Sequence, residues 1–166
     1  MMHSVTLLTG SNEEQAAEIL ERAAELLEQR IGEPEALSQL YRSEAWGFSA
    51  EREFYNQALR FATALEPLQV LDAAQQVEQI LGRRRDIEQA EREKTGERYA
   101  SRVVDVDVMF YDDRVINLER LKVPHPLLHE REFALQPLCE IMGEFLHPQL
   151  QLTLKDIYEE IKKSKI

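Results

Sequence analysis

Arg102-Val103-Val104-Asp105-Val106-Asp107-Val108-Met109-Phe110-Tyr111 is the stretch from which the rest of the chain is read. Its β-branched and aromatic content predicts a strand. Successive side chains of a strand alternate between faces, so Asp105 and Asp107 share one side while Val104, Val106 and Val108 share the other. At a rise of roughly 3.3 Å per residue the two carboxylates leave the backbone about 6–7 Å apart, and at an effective dielectric near 20 they repel by about 2–3 kcal/mol. Water, Arg or Lys partners, or a hard divalent cation can offset that repulsion. An isolated Asp-x-Asp is more often a solvated acidic edge, so the surrounding sequence has to decide.

The chain has 166 residues, which suits one domain with one sizeable core. No apolar run approaches the roughly 18–20 residues of a membrane span, and Met1-Met2-His3-Ser4 lacks the basic-then-apolar pattern of a secretory signal. The expectation is a cytoplasmic protein without a membrane partner. Its one cysteine, Cys139, has no internal partner and sits among apolar residues, which predicts a buried, inert thiol. A net charge of -11 argues against a nucleic-acid binder, whose affinity rests on neutralising phosphates, and confines any phosphate site to a local patch.

Val5–Thr9 reads as a short strand running into a turn at Gly10-Ser11-Asn12. Ser11 or Asn12 is the expected cap of a helix with Glu13 and Glu14 in its first turn and an apolar stripe at Ala16, Ile19, Leu20, Ala23, Leu26 and Leu27, ending near Gly32 and Pro34. Leu37–Ser43 reads as a second strand. The irregular segment Glu44–Glu53 holds Trp46 and Phe48, aromatics that pack either on the domain or on a ligand. Phe54–Ala62 reads as a third strand that puts Phe54, Asn56 and Ala58 on one face. A flat ring beside an amide suits a planar heterocycle, and it equally suits a core Phe next to a surface Asn. Pro67 opens a helix with Val70, Ala74, Val77 and Leu81 buried, Gln75 and Glu78 on one flank, and Gly82 at its close.

Arg83 to Arg102 is the basic segment of this acidic chain, with seven cations (Arg83, Arg84, Arg85, Arg92, Lys94, Arg98, Arg102) against five acids. Part of it is ordinary solvated surface. Its two ends flank the loop and lead into the carboxylate strand, and guanidinium forks suit phosphate oxygens, so the outline is that of a nucleoside triphosphate site. Downstream, Asp112-Asp113 predict a turn and Arg114–Ile116 a short returning strand. Val123-Pro124-His125-Pro126 must be extended, since two prolines forbid helix around His125. His125 and His129 without a third nitrogen or sulfur ligand do not make a zinc site. An apolar helix interrupted at Pro137 and an amphipathic closing helix from Thr153 to Ile166 complete the chain.

Together these pieces resemble the 6-hydroxymethyl-7,8-dihydropterin pyrophosphokinases, ATP-dependent enzymes of folate biosynthesis. The resemblance runs from Gly10-Ser11-Asn12 through Tyr41-Arg42-Ser43, Gly47, Asn56, Glu78, Gly82-Arg83 and Arg85 to Arg102-x-x-Asp105-x-Asp107, and on through Val123-Pro124-His125-Pro126, Arg131-Glu132-Phe133 and Pro137-Leu138. It implies an α+β, ferredoxin-like sandwich with a mostly antiparallel sheet and helices on its faces. It implies that Asp105 and Asp107 hold two Mg2+ ions on the phosphates of ATP, and that Arg83 and Arg102 act on the transferred diphosphate. Arg85, His125 and Arg131 would make further triphosphate contacts, with Gln75, Glu78 and Val108 at the nucleotide. Phe54 and Phe133 would stack the pterin, while Asn56, Ser43 and Ala45 read its edge. A monomer is expected. The sequence departs from the family pattern at Glu44-Ala45-Trp46, at a longer loop after Arg85, at Tyr99 and at Pro126. Two rival readings are a nucleotidyltransferase, in which Gly-Ser and Asp-x-Asp stand close in sequence, and a non-catalytic ferredoxin-like module.

Overall fold

Strand β1 (His3–Ser11) is the centre of the main sheet because it pairs on both sides. The computed structural model describes residues 1–43, 53–82 and 103–164. In chain order these form β1, α1 (Ala16–Ile31), β2 (Gly32–Leu37), β3 (Tyr41–Ser43), β4 (Phe54–Thr63), α2 (Pro67–Ile80), β5 (Asp105–Tyr111), β6 (Ile116–Asn117), β7 (Lys122–Val123), a 3-10 turn (Leu128–Glu130), α3 (Glu132–Met142) and α4 (Leu154–Lys163). The main sheet has the order β2-β4-β1-β5, with the short β3 also on β4, and its pairings are antiparallel. That order is the ferredoxin-like arrangement expected above.

Two apolar layers follow from the alternation along the strands. Val5, Leu7, Leu59, Phe61, Val104, Val106 and Val108 face one way, onto the stripe of α1 and the Val70, Ala74, Val77 row of α2. Leu8, Ala58, Met109 and Phe110 face the other way, onto Leu135 and Leu138 of α3 and Leu154 and Ile157 of α4. Met109 and Phe110 fall in the same layer because β5 carries a bulge: Leu7 pairs with Val108 and Thr6 with Phe110, leaving Met109 as the extra residue.

Several expectations change. Gly10-Ser11 is strand, not turn, since Gly10 pairs with Asn56 on one side and Asp105 on the other. The helix therefore starts later, at Ala16, with Glu13 and Glu14 ahead of it and no side-chain cap at Gln15. Leu37–Ser43 is not one strand. Ser38 interrupts it by exchanging bonds with Ala58, its N–H donating to the Ala58 carbonyl and its Oγ accepting the Ala58 N–H, each at 2.9 Å. Pro34 lies inside β2, an edge strand at a register shift, where a missing N–H is tolerated. The Arg114–Ile116 return is displaced to β6, which pairs with β7. Pro137 does not interrupt α3; its ring is buried and the helix forgoes only the bond to the Phe133 carbonyl. The closing helix runs from Leu154, where the Thr153 hydroxyl accepts the Asp156 N–H at 3.1 Å, to Lys163. Cys139 is half-buried rather than buried, and burial pushes its thiol up to about 11.

Candidate active site

The strand register lines up the expected site residues in rows. Gly10 of β1 stands opposite Asn56 of β4 and opposite Asp105 of β5, and Tyr41 of β3 stands opposite Asn56. The next row on the same face is Ala58, Leu8 and Asp107. With strands about 4.8 Å apart, the backbones of Asn56 and Asp105 are separated by about 10 Å, and the residue between them has no side chain. A shallow floor is thus bounded by an amide on one side and two carboxylates on the other.

Above this floor lies a cavity of about 280 Å³, walled by Ser43, Phe54, Asn56, Asp105, Asp107, Arg131 and Phe133. Seven of the residues singled out from sequence therefore share one space. Phe54 and Ser43 are paired across β3 and β4, and Phe133 comes from the first turn of α3, so the two rings reach the cavity from the sheet and from the covering helix. The Arg131 guanidinium lies over the Phe133 ring at 5.6 Å, which orients both.

Gly10 explains how Asn56 is held. A Cβ at position 10 would lie 2.6 Å from Asn56 Nδ2, so the amide occupies the space that a side chain there would fill. Asn56 Nδ2 donates to the Thr9 carbonyl at 3.2 Å, and the residue is 6% exposed. One amide hydrogen is thereby committed to the sheet, which sets the plane of the group.

The bulge in β5 anchors His125, which does not line the cavity, within electrostatic reach of Asp107. The carbonyl of the extra residue, Met109, accepts the His125 N–H at 3.2 Å, docking the Val123–Pro126 segment on the strand. His125 Nδ1 accepts the Leu127 N–H at 3.2 Å, so the neutral ring carries its proton on Nε2 and has a donor to offer. Burial holds the His125 imidazole below its usual range; the Asp107 carboxylate acts upward on it and the Arg131 guanidinium downward. His125, Asp107 and Arg131 therefore lie within electrostatic reach of one another.

The remaining candidates stand elsewhere. Val108 is 5% exposed in the layer beneath α1 and α2, on the face of β5 opposite the aspartates, and does not line the cavity. Gln75 is half-exposed on α2 and does not line it either. Glu78 is 5% exposed, and its Oε2 accepts the Val106 N–H at 2.9 Å. Ala45, Arg83, Arg85 and Arg102 lie outside the described residues, as do Trp46 and Phe48. Sequence reasoning had no place for Glu140, whose carboxylate accepts from Tyr41 Oη at 2.7 Å and from the Gln39 N–H, tying α3 to the segment that leads into β3. It missed the role of Ser11 too, whose hydroxyl donates to the Val103 carbonyl at 2.6 Å at the entrance to β5.

The donor set fits a magnesium-like cation. Asp105 and Asp107 are half-exposed hard ligands at the cavity wall, and among the described residues no cluster of three or more His, Cys, Asp or Glu side chains could close a shell around an ion. An ion that keeps its waters and takes phosphate oxygens from a substrate suits such an open pair, whereas structural zinc does not.

The family model for 7,8-dihydro-6-hydroxymethylpterin-pyrophosphokinase (HPPK) matches residues 6–143. A 2-amino-4-hydroxy-6-hydroxymethyldihydropteridine pyrophosphokinase from Aquifex aeolicus is 37% identical over 159 residues, covering 96% of this chain and 92% of the relative. Its counterpart from Bacillus subtilis is 33% identical over 133 residues, covering 80% and 74%. Among solved structures, an HPPK-DHPS in complex with substrates superposes with a TM-score of 0.77 at 15% identity, over 99% of this chain and 44% of that one, a likeness of fold. This chain thus spans less than half of that longer protein.

Proposed function

Since the chain belongs to the 7,8-dihydro-6-hydroxymethylpterin-pyrophosphokinase family and transfers diphosphate from ATP to the hydroxymethyl group of 6-hydroxymethyl-7,8-dihydropterin, a step of folate biosynthesis, we propose that the cavity over Gly10 is where the two substrates meet. The observation that carries this reading is the Asn56–Gly10–Asp105 row, which sets an amide and a carboxylate pair on one face with a bare backbone between them. The pterin ring stacks between Phe54 and Phe133, and Asn56 with the Ser43 backbone reads its edge; Ala45 is assigned to the same edge on the family pattern alone. Held there, the heterocycle points its hydroxymethyl arm across the Gly10 floor toward Asp105 and Asp107.

In the transfer, the hydroxymethyl oxygen forms a bond to the β-phosphorus of ATP, the bond between that phosphorus and the α,β-bridging oxygen breaks, AMP leaves, and the hydroxyl proton passes to solvent. Asp105 and Asp107 would hold Mg2+, two ions on the family pattern, and the metal would supply Lewis-acid neutralisation of the phosphate charge when bound. Arg131 faces the same space with a fixed guanidinium, and His125 offers its Nε2–H to a phosphate oxygen. Arg83 and Arg102 on the diphosphate, Arg85 on the triphosphate, and Gln75 and Val108 around the nucleotide are assigned by family pattern. Positioning and charge neutralisation supply the rate, and no residue is required as a general base.

The reading includes a monomeric enzyme of a single domain acting in the cytoplasm. No described helix is long and apolar enough to cross a membrane. The test is a calorimetric titration with a non-hydrolysable ATP analogue and Mg2+, with and without the pterin, beside an assay for AMP release. Asp107→Ala should keep the fold and lose several kcal/mol of transition-state stabilisation. Undiminished turnover in that variant would remove the aspartates from the mechanism.

A further inference from the structure

Glu78 presents a buried carboxylate in the last turn of α2, where it meets β5. β5 is the last strand in the order β2-β4-β1-β5, and among the described residues no strand pairs with its outer main-chain groups. Glu78 Oε2 takes one of them, the Val106 N–H, at 2.9 Å. Val106 is the residue between Asp105 and Asp107, and its own side chain points into the layer under α1 and α2. A second tie of this kind, from the Ser11 hydroxyl to the Val103 carbonyl, holds the entrance to the same strand.

We propose that Glu78 is a positioning residue for the cation site: its carboxylate takes the Val106 N–H on the outer edge of β5 and thereby fixes the spacing and direction of the Asp105 and Asp107 carboxylates. The inference rests on the reading that those two aspartates hold Mg2+, and it replaces direct nucleotide contact as the role of Glu78. A backbone N–H donating to a buried carboxylate oxygen is costly to leave unmade and suited to holding an edge strand in one geometry. Outer groups that orient metal ligands are worth about 10–100-fold in metal affinity. A glutamine at position 78 keeps the acceptor oxygen and loses the charge; an alanine loses both.

The experiment uses the full chain with Glu78→Gln and Glu78→Ala, and with Glu78→Met, near in shape and without an acceptor, should the alanine variant not fold. Amide exchange at residues 105–107 is measured on the ligand-free protein, and Mg2+ is titrated calorimetrically in the presence of a non-hydrolysable ATP analogue. Loss of the acceptor should speed exchange of the Val106 amide and raise the Mg2+ concentration for half-saturation about tenfold, with turnover at saturating Mg2+ largely kept. Glu78→Gln should stay close to the parent in all three readouts. A glutamine variant as impaired as the alanine one would overturn the proposal in favour of a charge acting on the nucleotide, and unchanged Mg2+ affinity in Glu78→Ala would overturn it outright. A parent chain that binds the analogue without any Mg2+ dependence would instead bring down the metal reading itself, which the Asp107→Ala titration identifies separately.

Discussion

Gly10→Ala isolates the geometry on which the proposed pterin subsite depends. The new Cβ would meet Asn56 Nδ2 at 2.6 Å, well inside ordinary contact, so the amide must give by most of an ångström. The neighbouring strands fix the backbone on both sides of Gly10, and the open direction for the amide is the cavity. Moving there breaks its bond to the Thr9 carbonyl and fills space that the proposed reading gives to the pterin. Overpacking and one lost bond at a nearly buried group cost about 1–3 kcal/mol, offset by the about 0.4–1 kcal/mol that alanine takes from the entropy of the unfolded chain. A net loss near 1 kcal/mol lowers the melting temperature by about 2–4 °C. The pterin should suffer more, because a misaligned amide leaves polar groups of ligand and protein unpaired at about 1–3 kcal/mol, or about 10–100-fold in kcat/KM for the pterin at saturating ATP. The assay is steady-state AMP release with each substrate varied in turn, in the parent, Gly10→Ala, Asn56→Ala and the double variant. Because the two residues touch, Gly10→Ala should add little once Asn56 is already alanine. Fully additive losses, or a loss seen in the ATP dependence alone, would refute the interlock.

Other expectations follow from local chemistry. His147 is 3% exposed, its Nδ1 accepts the N–H groups of Gln149 and Leu150, and burial holds its imidazole below the ordinary value of 6.5. The unfolded chain therefore binds more protons than the native one below that value, so stability is fully present above about pH 6.5 and falls as the pH drops through the window beneath it. Urea unfolding between pH 5 and pH 8 should show this slope, and His147→Asn should flatten it in part, with His125, also lowered by burial, contributing the same sign. Cys139, with its thiol pushed up to about 11 by burial, should react with iodoacetamide at neutral pH far more slowly than a free cysteine thiol, and equal rates would contradict its placement. Tyr41, whose phenol is raised to about 12 chiefly by its hydrogen bond to Glu140, should ionise late in a spectrophotometric titration and return toward 10 in Glu140→Gln.

How far the sequence could be read depended on whether the deciding force was local. The alternation of Asp105, Val106, Asp107 and Val108 is a property of any strand, and it placed the carboxylates correctly on the face away from α1 and α2. Phe54 and Asn56 were paired on one face by the same rule. Gly10-Ser11-Asn12 has the composition of a turn, yet strands on both sides of Gly10 and β4 beside Ser11 hold the two extended, and nothing in the local sequence announces those partners. The bulge at Met109 was invisible for the same reason: an extra residue is defined by its neighbour, and only the register of β1 reveals it.

That hidden bulge matters more than the visible alternation. Without an extra residue, Met109 and Phe110 would point to opposite faces, and the apolar layer beneath α3 and α4 would lose one of the two. The carbonyl that receives the His125 N–H is the one that the bulge leaves over, so the same irregularity that reorients the strand also anchors the proline-flanked histidine near Asp107. The sequence offered both halves, a run of apolar residues that breaks strict alternation after Val108 and a rigid Val-Pro-His-Pro segment, but their connection is tertiary. Likewise Gly10 and Asn56 stand 46 positions apart in sequence, and each is ordinary until the register lays one amide in the space of one missing methyl group. Motif spacing could name the candidate side chains; the residues that hold them in place, Gly10, Ser11, Glu78 and Met109, are defined by what lies across the strand, and it is there that substitutions should separate catalysis from folding.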